Sequence, residues 1–266
     1  MNHITTLKTQ ARKLRLSTLA ANLELRLQEA TSHQLPHAQF LEMLLQDELN
    51  GRHSKAIARH TKAAAFREQR ALSDFDFSFN PGIPRGKIYE LATCQFIQQA
   101  RDILLLGPPG VGKSHLAQAL GREAIRHGHQ AYYRSIFELV RDLNATGTDS
   151  SRQEQVLKRY LKPELLIIDD MGMKALPRHG AELLLEIIVR RNGLRSTLMT
   201  SNRPIDAWGE LLGDVPAASA ILDRLLHHAE ILQIEGRSHR LAQRAAETAQ
   251  TAQTARSAPP PQPSAA

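Results

Sequence analysis

The feature that most constrains this chain is the stretch Leu104 to His115, LLLGPPGVGKSH, where an apolar run gives way to glycines and then to a lysine. Gly107, four intervening residues, Gly112, Lys113 and Ser114 fit the pattern G-x-x-x-x-G-K-[ST]. Its glycines let main-chain N–H groups curl round a phosphate with no Cβ in the way. The loop Gly107, Pro108, Pro109, Gly110, Val111, Gly112, Lys113, Ser114 and His115 is therefore the candidate nucleotide cradle. In it Lys113 would reach the β- and γ-phosphates and Ser114 would offer its hydroxyl to Mg²⁺. A helix opening at Gly112 would aim its positive end at the anion. Such a loop needs a buried parallel strand before it, and Asp102 to Leu106 has the required length and apolar character.

A second apolar run, Leu165-Leu166-Ile167-Ile168, ends in Asp169-Asp170. Asp169 at the strand's end would hold Mg²⁺ through its shell, and Asp170 would polarise the attacking water. Two adjacent buried acids without a cation would be costly, so the metal is implied. Asn202 follows a third strand, Ser196 to Thr200, which should neighbour the Asp169 strand and could let the amide orient the water. Arg224, inside the apolar helical stretch AILDRLL, and Arg237 and Arg240 in EGRSHR, could stabilise the charge of phosphoryl transfer from their own or a neighbouring subunit.

These motifs sit in alternating strands and helices, which predicts a parallel α/β sheet with ligands at the strands' carboxyl ends. Strands are expected at Asp102–Leu106, Gln130–Arg134, Leu165–Ile168, Ser196–Thr200 and Glu230–Ile234. Single helices are expected over Lys87–Ala100 and Pro204–Leu212.

The first 72 residues read differently, as a small all-α domain. Leucines recur at helical spacing from Leu7 to Ala30, and Pro36 opens a second helix whose character turns basic after Gly51. A continuous helix there lines Lys55, Arg59 and Lys62 along one face, a candidate surface for DNA phosphates; a merely solvated helix is the plainer alternative. Residues 73–86 form a Pro/Gly-rich linker in which Phe75, Phe77 and Phe79 are expected to pack against the core. Residues 87–242 make up the nucleotide-binding domain, and 243–266 an Ala/Pro-rich disordered tail.

Composition excludes several other classes. A net charge of +7 permits a polyanionic partner, and the single Cys94 rules out an intramolecular disulfide and suits a reducing cytoplasm. There is no apolar stretch long enough to span a bilayer and no signal-peptide core at the N-terminus.

In this order GPPGVGKS, LLIIDD, TSN, ILDRL and GRSHR resemble the AAA+ ATPases of the DnaC-like helicase-loader clade. Together with FLEMLLQDEL, DFDFSFNPGIPR and ILDRLLHHAEILQIEGRSHRL, they resemble more closely the IstB proteins of insertion-sequence transposition, over residues 5–242. The resemblance implies an AAA+ P-loop NTPase that takes ATP and Mg²⁺, binds double-stranded DNA as a homo-oligomer and helps a separate transposase (IstA-like) capture its target. It also implies Asn202 as first sensor, Arg240 as second-sensor arginine and Arg224 as an arginine finger acting across the subunit boundary. Proteins of this kind usually carry Glu where Asp170 stands, one methylene longer. A replicative helicase loader is the alternative within the same class, and a DNA-binding scaffold without meaningful turnover lies outside it.

Overall fold

The computed structural model describes residues 3–147, 149–177 and 179–244; most of the expected tail, residues 245–266, lies outside them. The chain separates into two compact units, Met1–Lys62 and Ala63–Ala266.

The described part of the first unit is all helical: α1 (His3–Lys13), α2 (Ser17–Ser32) and α3 (His37–Ala64), whose last residues pass into the second unit. The single helix expected from Leu7 to Ala30 breaks at Arg15, which has φ 60°. Glu48 on α3 is buried and accepts from the N–H groups of Thr18 (2.8 Å) and Leu19 (3.0 Å), satisfying two orphan donors at the start of α2. Arg26 pairs with Asp47 at 2.7 Å to hold the same two helices together. As α3 is continuous, Lys55, Arg59 and Lys62 do share one helix, and all three are exposed.

In the second unit a 3-10 turn, Leu72–Asp74, is followed by α4 (Arg85–Ala92) and α5 (Gln95–Gln98), where one helix was expected; Cys94 adopts φ 62° between them. Then follow β1 (Asp102–Leu106), α6 (Lys113–Arg126), β2 (Ala131–Ser135), α7 (Ile136–Asn144), α8 (Ser150–Leu161) and β3 (Leu165–Met171). The chain continues through α9 (Gly180–Arg191), β4 (Ser196–Ser201), α10 (Trp208–Leu212), α11 (Val215–His228) and β5 (Ala229–Gln233). The helix expected from Pro204 starts instead as a short 3-10 turn, Ile205–Ala207, ahead of α10.

All strand pairs are parallel, in the order β2-β3-β4-β1-β5. The inner strands β1, β3 and β4 are almost wholly buried; β1 and β3 carry Ile and Leu in near-continuous runs, as a sheet covered on both faces favours, while β4 holds Leu198 and Met199 between small hydroxyl residues. This order places β4 beside both β1 and β3, so the ends of the phosphate-loop strand, the Asp169 strand and the Ser201 strand converge on one edge. Among the described residues no helix is long and apolar enough to cross a membrane.

One buried cation secures the opposite side of this body. Arg191, 1% exposed at the end of α9, donates to the carbonyls of Tyr160 (2.7 Å), Pro163 (2.9 Å) and Ser196 (2.6 Å), and burial pushes its pKa down to about 9. Arg191→Met keeps the stem but strands those carbonyls, so it should lower unfolding stability by about 2–4 kcal/mol in urea titration. An unchanged midpoint would show that the carbonyls find other partners.

Candidate functional site

The site grows from the turn after β1. Gly107 has φ 153°, and a Cβ there would lie 2.0 Å from the Ile234 carbonyl; Gly112 has φ 106°, and its Cβ would enter the Phe75 ring at 2.6 Å. A side chain at either position would distort the loop, which is why the motif fixes glycine there. The loop is anchored to its neighbours: the Gly107 N–H donates to the Ser201 carbonyl (3.2 Å) and the His239 N–H to the Gly110 carbonyl (3.0 Å).

Lys113 opens α6 and is buried, its Nζ donating at 2.8 Å to the carbonyls of both Gly107 and Pro108. Burial lowers its pKa to about 8, against the opposing pull of Asp169 and Asp170. Next to it, Ser114 Oγ donates to Asp169 Oδ1 at 3.0 Å. The other donors to this carboxylate are Thr200 Oγ1, on the same oxygen, and the Tyr133 hydroxyl, on Oδ2. Asp169 is 1% exposed and so is held by three hydroxyls from three elements.

Strand β3 shifts register between Ile168 and Met171, and Asp170 sits in that irregularity with φ 65°. Its N–H donates to Thr200 Oγ1 (3.2 Å), and its carboxylate accepts from Arg67 Nη1 at 2.8 Å. Burial and then the neighbouring Asp169 raise the Asp170 pKa, while Arg67 opposes the shift.

Around these groups lies a cavity of about 290 Å³ lined by residues 109–115, Asp170, Asn202 and Arg240, among others. The Asn202 N–H donates to the Met171 carbonyl (2.9 Å), fixing it beside the end of β3. Pro109 to His115, Asp170, Asn202 and Arg240 are thus brought together, while Gly107 and Pro108 support Lys113 from behind. Arg224 is not among the lining residues of this cavity. It lies on α11 between the buried Ile221 and Leu225, with its side chain 42% exposed and bonded to Asp223 at 2.7 Å. Lys55, Arg59 and Lys62 belong to the other unit.

The phenylalanines pack against the second unit as expected, and two of them also border the cavity. Phe75 and Phe79 line the cavity, Phe75 edge-on to His115 (5.1 Å) and Phe79 to His239 (4.9 Å), while Phe77 meets Phe75 edge-on (4.8 Å). Alternation along the chain reports that one side is covered, and here the cover is shared with a ligand-sized cavity. Sequence reasoning also missed Tyr133, Thr200 and Arg67. The strand Ser196 to Thr200 was expected beside the Asp169 strand, but nothing local distinguishes the Thr200 hydroxyl or a tyrosine on the other flanking strand.

The donor set fits a hard divalent cation shared with a phosphate chain: a hydroxyl and a carboxylate in contact at the foot of the loop, all oxygen, with room beside them for phosphate oxygens. Ser114 and Asp169 are the residues that would hold it.

Comparison with known proteins agrees with this geometry. Over 232 residues the chain is 38% identical to a protein named as an ATP-binding protein of insertion sequence IS21 from Pseudomonas aeruginosa, covering 87% of each. Its fold is shared with DnaI (TM-score 0.51, 24% identity, 64% of this chain and 90% of that one). The AMPPCP-bound DnaA from Aquifex aeolicus also shares it (TM-score 0.53, 18% identity, 64% and 51%). These are AAA+ P-loop architectures, as the motif order implied. The family model for the IstB-like ATP binding protein matches residues 9–247, and the chain belongs to that family.

Proposed function

We propose that this protein is a Mg²⁺-dependent ATPase that assembles on duplex DNA and serves a transposase as its ATP-controlled helper. The observation that carries the reading is the contact of Ser114 with Asp169 beneath a glycine loop, in a chain whose relative is named for an insertion sequence. That relative matches over most of both chains, whereas the likeness to DnaI is one of fold, so the transposition helper is favoured over the helicase loader.

In this reading the main-chain N–H groups of residues 110–114 surround the triphosphate, and Lys113 exchanges the two loop carbonyls for phosphate oxygens. Bound Mg²⁺ would neutralise phosphate charge beside Ser114 and Asp169. Asp170 draws a proton from the attacking water, Asn202 orients that water, and Arg240, which lines the same cavity, contacts the phosphates. Because Arg224 does not line its own cavity, the phosphates it could serve are those of a second copy. ATP binding then tightens a subunit interface, and hydrolysis loosens it.

Mixing tests that arrangement. Arg224→Ala and Lys113→Ala chains should each be inactive alone, and together they should regain part of the ATPase rate at interfaces joining an intact loop to an intact arginine. Proven co-assembly without recovery would contradict action across the interface.

DNA contact is assigned to the exposed Lys55, Arg59 and Lys62. Binding to random-sequence duplex with ATP should weaken steeply with salt. Replacing all three by Ala should lower the slope of log K against log salt by about 2 to 3, at roughly 0.9 per phosphate contact. An unchanged slope would move the DNA surface elsewhere and leave these helices to the transposase.

A further inference from the structure

The segment that follows α3 carries a cation onto the acid assigned to water activation. Arg67 Nη1 donates to Asp170 Oδ2 at 2.8 Å, Nη2 lies 3.6 Å from Glu138 Oε2, and the guanidinium lies 6.0 Å from the centre of the Tyr133 ring. Its neighbours are fastened to the ATPase body. The Phe66 ring packs on Tyr133 (6.2 Å) and so close to Gly121 that a Cβ there would come within 2.9 Å of it. The Glu68 N–H donates to Gln118 Oε1 (3.0 Å), and His115 Nε2 is bonded to the Ala71 carbonyl (2.9 Å). Arg67 is therefore held at Asp170 by the packing of the residues on both sides of it.

Asp170 is equally constrained. Its left-handed backbone and its N–H bond to Thr200 fix where the short side chain can reach. The Asp170 oxygen that accepts from Arg67 Nη1 has that lone pair engaged and turned away from any water at the phosphate. We propose that Arg67 is a positioning residue that restrains Asp170: while the pair is closed the acid is withheld from the lytic water, and hydrolysis needs it to open. This rests on the reading of Asp170 as the water-polarising group. Glu138 supplies the other seat. It is fixed by the capping box it forms with Ser135 at the start of α7, and the half-exposed Arg67 can turn to it when Asp170 is released.

The test is steady-state ATP hydrolysis by the full chain with Mg²⁺ and without DNA. Arg67→Ala, and Arg67→Met as a charge-free variant that keeps the aliphatic stem, should raise kcat by about 3- to 10-fold with KM for ATP unchanged. Arg67→Lys, which keeps the cation, should return the rate toward that of the parent. In an Asp170→Asn background Arg67→Ala should give no rise. An unchanged or lower kcat in the charge-free variants, or a rise that persists with Asp170→Asn, would overturn the restraint. If Asp170→Asn abolishes turnover while Arg67→Ala fails to raise it, the restraint alone is wrong. If Asp170→Asn leaves turnover intact, or neither the parent nor the Arg67 variants hydrolyse ATP, the reading of Asp170 falls with it.

Discussion

The Asp169 carboxylate is the centre on which the site depends. A buried charge without partners costs several kcal/mol, and here it is made tolerable by hydroxyl donors from Ser114, Tyr133 and Thr200. Each hydrogen bond to a charged group is worth about 1.5–3 kcal/mol, enough together to offset that cost. The three donors come from α6, β2 and β4, so satisfying one carboxylate draws together the phosphate loop's helix and both strands that flank β3. The strand order β2-β3-β4-β1-β5 makes this possible. It puts Tyr133 and Thr200 on either side of Asp169 and brings Ser114 in from the turn after β1.

From this centre the electrostatics run outward. Lys113 is buried between loop carbonyls, with its ammonium destabilised by burial and ready to gain from a polyanion. Asp170, the next residue after the satisfied acid, has its pKa raised by burial and by Asp169, and is ion-paired with Arg67. The proposed ATPase therefore combines a preformed binding half with a restrained hydrolytic half. That division suits a protein whose proposed work is to hold an assembly for a time and then release it.

The sequence made the regular parts legible because their signals are local. Glycines that must avoid the Ile234 carbonyl and the Phe75 ring, and an apolar run ending in two acids, can be recognised without knowing what lies opposite. Four of the five expected strands match to within a residue at each end, and β3 runs three residues past the expected Ile168, because the apolar run that marks it stops at the two acids. What stayed hidden depends on contacts between distant segments. Arg67 and Asp170 meet across more than a hundred residues of chain, and Tyr133 reaches Asp169 only because β2 lies beside β3. The left-handed turns at Arg15 and Cys94 broke helices whose apolar periodicity continues across the break. The alternation of Phe75, Phe77 and Phe79 shows that one side of the linker is covered, but it cannot show that Phe75 and Phe79 also border a cavity.

The account's central claim is that Asp169 and Ser114 form a prepared seat for a divalent cation delivered with the triphosphate. Calorimetric titration of ATP into the full chain, with and without Mg²⁺, tests it most directly when run in parallel on Asp169→Asn. The parent should gain at least about tenfold in affinity from Mg²⁺, and Asp169→Asn should keep metal-free binding while losing that gain. A full Mg²⁺ gain in Asp169→Asn would contradict the claim and reduce the carboxylate to a structural tie between strands.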